Sequence, residues 1–381
     1  MSSLYADALA PFLAEGERLR PPGAEAFDAH THLGVDEDGR SLDLKTLLSQ
    51  LDDAGARRAC VFPLHDPERR PSYSLPNDRV LAWAGESEQR LIPFCRLDPA
   101  EAPVPEGERC IAKGARGIKL HPRAQAFAFD GPEMDAIFKL AQEAAVPILI
   151  HAGRGIPALG LHAVQLAGDF PDARLILAHA AICDLSWIWR VAADHPNLLF
   201  DTAWWMPADL LSLFSLVPPG QILFASDAPY GTTSMSAVFQ LRYALQLGLS
   251  QDQIRCITSG QALRIAAGEP LAPAGPAIGE HEQPSHVLLE RVSAFLMLGA
   301  LTTMRGGDGA EMLALARLAC DVPEEVDDAP VFAAIRDLID IYDRLSEADA
   351  TDRRRFAFLV LAATVARTPE VPVPASIPRA V

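Results

Sequence analysis

Short apolar runs alternate with longer amphipathic segments along most of this chain. The apolar runs are 26–33, 58–64, 91–98, 117–121, 147–152, 175–180, 198–202 and 221–226, eight in all. Unbroken apolar runs bounded by turn residues read as buried strands. The segments between them carry helix signals. Residues 42–53 are apolar at 42, 44, 47, 48 and 51 and stop at Gly55. Asn77 is placed to cap 78–85, and Pro132 lies near the first turn of a helix reaching 145, with Met134, Ile137, Phe138 and Ala141 on one face. Asp184 is placed to cap 185–193, Pro207 opens 208–216, and 234–247 is a longer helix. Residues 100–115 carry the least helical signal, because Pro103 and Pro105 interrupt them. Eight strand–helix units over about 240 residues predict an α/β fold, a closed (β/α)8 TIM barrel rather than an open doubly wound sheet. No glycine-rich phosphate fingerprint follows the first strand, which also disfavours a dinucleotide-binding fold.

The flanks differ from this repeat. Residues 3–20 form an amphipathic helix ended by Pro21, Pro22 and Gly23, and 251–268 read as a closing helix. The expected division is an N-terminal helical segment (1–25), the barrel (26–268), a proline-rich linker (269–284), an all-α C-terminal domain (285–368) and a mobile tail (369–381). The C-terminal domain shows four helix-like stretches at 286–304, 310–320, 331–345 and 351–366, and no chemical constellation.

Composition narrows the function. A net charge of -17 argues against general affinity for nucleic acid or an anionic membrane. No run of about 18 apolar residues predicts a membrane span; the nearest, 292–301, is shorter and flanked by Glu290 and Arg291. No basic segment followed by an apolar core opens the chain, so no signal peptide is expected. Six scattered cysteines without a Cys-x-x-Cys pair suit reduced thiols in a cytoplasmic enzyme.

The chemistry collects where the strands end, the face on which barrel active sites lie. The first run ends His30-Thr31-His32. Side chains two apart on a strand share a face, so both imidazoles address one point. Imidazole is the commonest ligand for zinc-like metals. The fourth run ends Lys119-Leu120-His121, the fifth His151, the sixth His179 and the eighth Asp227. Asp28 falls on the face of His30 and His32 but deeper, as a supporting group.

At these residues the chain resembles the amidohydrolase superfamily, in its amidohydrolase-related metal-dependent hydrolase branch. The motifs are Asp-Ala-His-Thr-His (28–32), Gly-Ile-Lys-Leu-His-Pro (117–122), Leu-Ile-His-Ala-Gly (149–153), Leu-Ile-Leu-Ala-His-Ala (175–180) and Ile-Leu-Phe-Ala-Ser-Asp-Ala-Pro-Tyr-Gly (222–231). The late Ser259-Gly260-Gln261-Ala262-Leu263 is similar to the branch's closing helix start, with Gln where Asn is usual.

The resemblance implies that His30, His32, His151 and Asp227 hold a divalent metal, zinc first, with manganese or iron as alternatives. It implies that Asp227 is the general base and that His179 polarises the scissile carbonyl or binds a second metal. Lys119 is then a carboxylated bridge between two metals or a buried cation beside the site. His121, Arg123, Arg154 and Tyr230 are placed for substrate contact, with Trp204 and Trp205 as walls of an apolar pocket. His65, His162 and His195 find no partner in the pattern, and His281 and His286 near the linker read as solvated. The leading expectation is hydrolysis of a small-molecule amide, ester or lactone. The alternatives are non-oxidative decarboxylation of an aromatic or unsaturated acid on the same metal, or a non-catalytic binding barrel. Partners are a small-molecule substrate and, as an open option, further copies of the chain, with no nucleic acid and no membrane.

Overall fold

A computed structural model describes residues 3–279, 286–375 and 377 of the chain. Its first barrel strand, Ala26–Val35, pairs in parallel with the second, Ala56–Pro63, and that with the third, Leu91–Pro93. The third breaks at Phe94 and resumes as Cys95–Arg96, which pairs with the fourth, Ile118–Leu120. Parallel pairing continues through Ile148–Ile150, Leu175–Leu177 and Leu198–Asp201 to the eighth, Ile222–Leu223. The ring then closes, because Ala29 N–H donates to Phe224 O at 2.8 Å and Asp227 N–H to His30 O at 2.9 Å. With helices between successive strands, this is the expected (β/α)8 barrel followed by an all-α region.

Alternation along the strands sorts the two layers. Phe27, Phe62, Phe94, Leu149, Ile176, Leu199 and Leu223 pack together inside the ring. Ile118, Ile148, Ile150, Leu175, Leu177 and Phe200 pack outward on the helices. Strands buried on both faces must be apolar throughout, which is why each reads as a run rather than as an alternation.

Several helix ends differ from the sequence reading. Pro103 and Pro105 do not prevent a helix: Pro103–Ala112 forms with its prolines in the first turn, where no N–H partner is lost. Asn77 is not a cap but lies buried inside Ser74–Glu86. Asp184 makes no side-chain cap, and its carboxylate accepts instead from Leu159 N–H at 3.0 Å and Trp187 Nε1–H at 3.2 Å.

Four helices, Val287–Met304, Ala310–Ala319, Ala329–Ala348 and Phe356–Arg367, make up the C-terminal region among the described residues. Phe356–Arg367 packs against Val287–Met304 and Ala329–Ala348 on one side and against the barrel helices Pro207–Leu216 and Thr233–Gln246 on the other. Val287–Met304 extends the apolar run beyond the expected 292–301 and is, among the described residues, the one helix long and apolar enough to cross a membrane. Its Leu289, Val292, Leu296 and Ala300 are buried within the fold, while Leu288 and Leu298 are exposed. Residues 369–375 belong to the segment expected as a mobile tail, and they meet the barrel. The buried Arg242 guanidinium donates to the carbonyls of Thr368, Val371 and Pro372 at 2.8–3.1 Å and holds that segment down. His286 is not merely solvated: its Nδ1 accepts from Leu289 N–H, and its Nε2 lies 2.7 Å from Asp328 Oδ2. His281 lies outside the described residues.

Candidate metal centre

The two histidines of the first strand face the barrel interior because that strand is irregular. Asp28 is opposite Ala59 and Thr31 opposite Val61, so one extra residue sits between them on the first strand. Such a bulge reverses the alternation of faces. His32 thereby pairs with the inward Phe62, and both imidazoles lie on that ring, with centroids at 5.1 Å for His30 and 4.5 Å for His32. Asp28 does not share their face, contrary to the sequence reading. Its carboxylate accepts from His30 N–H, Ser226 N–H and Thr233 Oγ1–H and so ties the first strand to the segment after the eighth.

Three polar side chains converge above Phe62. His30 Nε2 and His32 Nε2 each lie 3.1 Å from Asp227 Oδ1. One ligand atom from each falls within 4.8 Å of the others. His30 Nδ1 lies 2.7 Å from Asp201 Oδ2, a carboxylate that only accepts, so Nδ1 carries the hydrogen. In the neutral ring Nε2 is then a bare lone pair aimed at a carboxylate oxygen. Two acceptors at that distance repel unless a proton or a metal cation lies between them. Burial and the Lys119 charge push the His30 pKa down, but Asp201 and Asp227 outweigh them and raise it. Burial pushes Asp227 up, while the His30 charge and the imidazole bonds hold it well below the usual carboxylate range. His32 is lowered to about 3, mainly by burial. The set thus holds an ionised carboxylate beside two buried imidazoles, and a divalent metal in place of their shared protons would take these same donor atoms. His32 differs from His30 in lacking an outer partner, since its buried Nδ1 makes no hydrogen bond.

His151, expected as the fourth ligand, stands outside this group. His179 Nδ1 donates to Ala203 O at 2.7 Å, which leaves its Nε2 as the acceptor in the neutral ring. His151 Nδ1 lies 2.9 Å from that atom and is its donor. The remaining nitrogen, His151 Nε2, is 3.4 Å from Arg154 O rather than beside His30 and His32. The same pairing bears on His179: a neutral ring with a bare Nε2 accepts a proton and does not donate to a carbonyl. The pair fits only because residue 153 is glycine. A Cβ there would lie 2.7 Å from His179 Cδ2 and 3.1 Å from His151 Cε1.

Backbone strain collects at the same place. His179, Ala180 and Ala181 have φ of 58°, 57° and 50°, and Asp227 has 60°. Left-handed conformations at non-glycine residues cost about 1–3 kcal/mol each and cluster at functional sites.

The remaining expected residues surround the centre, Lys119 inside the barrel and the others nearer its mouth. Lys119 Nζ lies 3.4 Å from His30 Nε2 and 4.7 Å from the Phe62 ring centre. Burial lowers its pKa to about 7 despite the charges of Asp227 and Asp201. His121 stacks on His151 at 4.0 Å, and its Nδ1 accepts from Ala124 N–H, so a neutral ring carries its hydrogen on Nε2. Tyr230 lies edge-on to His32 at 5.8 Å, and its hydroxyl donates to Asp36 Oδ2 at 2.8 Å. Arg123 and Arg154 are exposed and make no ion pair among the described residues. Trp204 lies 6.3 Å from His179, and its indole N–H donates to Asp209. His65, read as unpartnered, has Nδ1 2.6 Å from the Tyr73 hydroxyl. The sequence reading passes over Asp201, which holds His30 and takes the N–H groups of His179 and Ala203 on its other oxygen.

The amidohydrolase family profile matches residues 27–265. No curated protein matches the chain. A solved 2,6-dihydroxybenzoate decarboxylase complexed with 2,6-dihydroxybenzoate is 17% identical, with a TM-score of 0.52 over 64% of this chain and 98% of that one. A 5-carboxyvanillate decarboxylase from Sphingomonas paucimobilis is 16% identical, with a TM-score of 0.50 over 64% and 99%. An uncharacterized TIM-barrel protein from Bordetella bronchiseptica is 17% identical, with a TM-score of 0.51 over 68% and 90%. At these identities the likeness is one of fold.

Proposed function

The chain belongs to the amidohydrolase family and is an enzyme of it, and on that premise we propose that it is a metal-dependent hydrolase of a small-molecule amide, ester or lactone. One observation carries this reading: His30 Nε2 and His32 Nε2 both face the same Asp227 oxygen at 3.1 Å, with the His30 tautomer fixed from behind by Asp201. These three residues would hold the ion. His151 is the candidate fourth ligand, and that role requires it to leave His179. Nitrogen and carboxylate donors suit zinc first, with manganese or iron as alternatives. When bound, a divalent ion supplies Lewis acidity, polarising a carbonyl and making water acidic enough to attack near neutral pH.

The chain's own groups then divide the work. Asp227 is ionised and has 20% of its side chain exposed, against 1% for His30 and 5% for His32, so it is the member of the trio that meets solvent and substrate. It takes the proton from water and returns it to the leaving group. His179, whose Nε2 is freed when His151 leaves it, is the second proton acceptor in reach. His121 presents its Nε2–H and Tyr230 its half-exposed ring to the substrate. Cytoplasmic placement, consistent with six free thiols, belongs to the same proposal.

A second reading is favoured by a specific observation. Lys119 adds a buried amine beside the centre, and Arg123 and Arg154 add exposed guanidinium groups that form no ion pair among the described residues. A cationic mouth suits a carboxylate substrate and hence non-oxidative decarboxylation. A screen of amides, lactones and aromatic carboxylic acids, with separate detection of hydrolysis products and carbon dioxide, tests both. Turnover of an amide, ester or lactone without carbon dioxide supports hydrolysis, and carbon dioxide release from an acid replaces it with the second reading.

A further inference from the structure

Arg96 ends the third barrel strand and is 1% exposed. It is the register partner of Lys119 on the fourth strand, which is in turn the partner of Leu149, a side chain of the barrel interior. Register partners on neighbouring parallel strands share a face. Arg96 therefore projects into the barrel at the height of Lys119, whose amine is 3.4 Å from His30 Nε2. Gln125 links it to the rim, accepting from Arg96 Nε at 3.4 Å and from His121 N–H at 2.9 Å.

No carboxylate among the described residues forms an ion pair with the Arg96 guanidinium. Its other contacts are Pro63 O at 3.3 Å and His65 Nδ1 at 3.5 Å. The second is not a free acceptor, because that nitrogen is already paired with the Tyr73 hydroxyl at 2.6 Å. The nearby carboxylates hydrogen-bond elsewhere, although the Asp36 charge still favours the Arg96 cation from a distance. Asp36 takes the Tyr230 hydroxyl, Asp201 holds His30, and Asp227 faces the imidazoles. A buried charge left without a partner is costly, and more so beside a second buried cation.

The fold nonetheless holds this cation firmly. Asn77 clamps its backbone on both sides: Arg96 N–H donates to Asn77 Oδ1 at 2.8 Å, and Asn77 Nδ2–H donates to Arg96 O at 3.1 Å. Asn77 is itself braced by Glu106 at 2.8 Å. The guanidinium lies over the Tyr73 ring, 5.0 Å from its centre, and that ring is fully buried. The three guanidinium nitrogens contact Gln125, Pro63 O and His65 through three of the five N–H groups, and the rest of this positioned planar fork matches a carboxylate, which it can bind with two parallel hydrogen bonds. Arg123 and Arg154, by contrast, stand exposed on loops with no such support.

We propose that Arg96 is a specificity-determining residue that takes a carboxylate of the substrate, so that the enzyme acts on a carboxylic acid or on an amide, ester or lactone that also carries a carboxylate. This rests on the small-molecule reading above and holds for hydrolysis and decarboxylation alike.

The test is calorimetric binding of matched probes to the full zinc-loaded chain: benzoate against benzamide, and 2-hydroxybenzoate against 2-hydroxybenzamide. The expected result is that each carboxylate binds at least about 10-fold more tightly than its amide. Arg96→Gln removes that preference without changing zinc content or amide binding, and Arg96→Lys, which keeps the charge but not the fork, loses part of it. The proposal is overturned if the wild-type chain binds neither carboxylate or shows no preference, results that need no variant. It is also overturned if Arg96→Gln keeps the preference or, should that variant fail to fold, if Arg96→Lys keeps it in full. Because the readout is binding, a failed turnover screen counts against the proposed reaction and not against Arg96.

Discussion

Asp201 Oδ2 lies 2.7 Å from His30 Nδ1, and the same carboxylate receives His179 N–H on its other oxygen at 2.8 Å. One buried acid thus sets the tautomer of a metal-facing imidazole and the backbone of the strained turn beside it. Asp201→Asn weakens the acceptor and removes the charge. Metal affinity, read by competition with a chromophoric chelator, is expected to fall about 10- to 100-fold, the range for outer partners of ligating histidines. Unchanged affinity would remove Asp201 from the centre.

Asp227 and the two first-strand imidazoles are expected to separate in mutants. Asp227→Asn keeps much of the metal but loses turnover by about 100-fold or more, because the amide cannot accept a proton. His30→Ala or His32→Ala loses metal and activity together. Metal content and rate measured on the same preparations check this. An Asp227→Asn enzyme as active as the parent over a full pH profile would move the base to His179.

The barrel was legible in the sequence because each buried strand is a short apolar run closed by a polar residue, and the strand ends supplied His30, His32, Lys119, His121, His151, His179 and Asp227. Asp201 has the same signature, since Leu198-Leu199-Phe200-Asp201 resembles the run that ends in Asp227. A reading focused on histidines passes over it. The bulge beside Ala29 leaves no mark in a hydrophobic pattern, so alternation alone puts Asp28 on the wrong face. Arg96 reads as part of the third run, and its lack of an ion pair among the described residues shows only in the structure. The His151–His179 pair depends on a distance across two strands, which no local pattern encodes.

Gly153 provides a test of that pair. Gly153→Ala places a methyl against both imidazoles, 2.7 Å from His179 and 3.1 Å from His151. Turnover is expected to fall about 10-fold or more, since misplacing a reacting group by about 1 Å can cost about 100-fold. The metal held by His30, His32 and Asp227 stays bound. Full activity in this variant would show that the spacing of the two rings is irrelevant to the reaction.

His65 predicts an acid-side loss of stability. Burial and the charges of Arg96 and Arg69 lower its pKa from 6.5 to about 4. The unfolded chain therefore takes up a proton at pH values where the folded chain does not. The contribution is intact above about pH 6.5 and is lost as the pH falls toward about 4. Urea unfolding at pH 7 and pH 5 is expected to show a steeper loss in the wild-type chain than in His65→Gln. Equal losses would mean that His65 titrates alike in both states.

The most direct measurement is elemental analysis of the full chain after dialysis against zinc and removal of the excess, beside the His30→Ala/His32→Ala double variant. The account predicts about one zinc per wild-type chain, held by the His30–His32–Asp227 trio, and none in the variant. A wild-type chain that retains no metal after reconstitution, or a double variant that retains as much as the wild type, would contradict it.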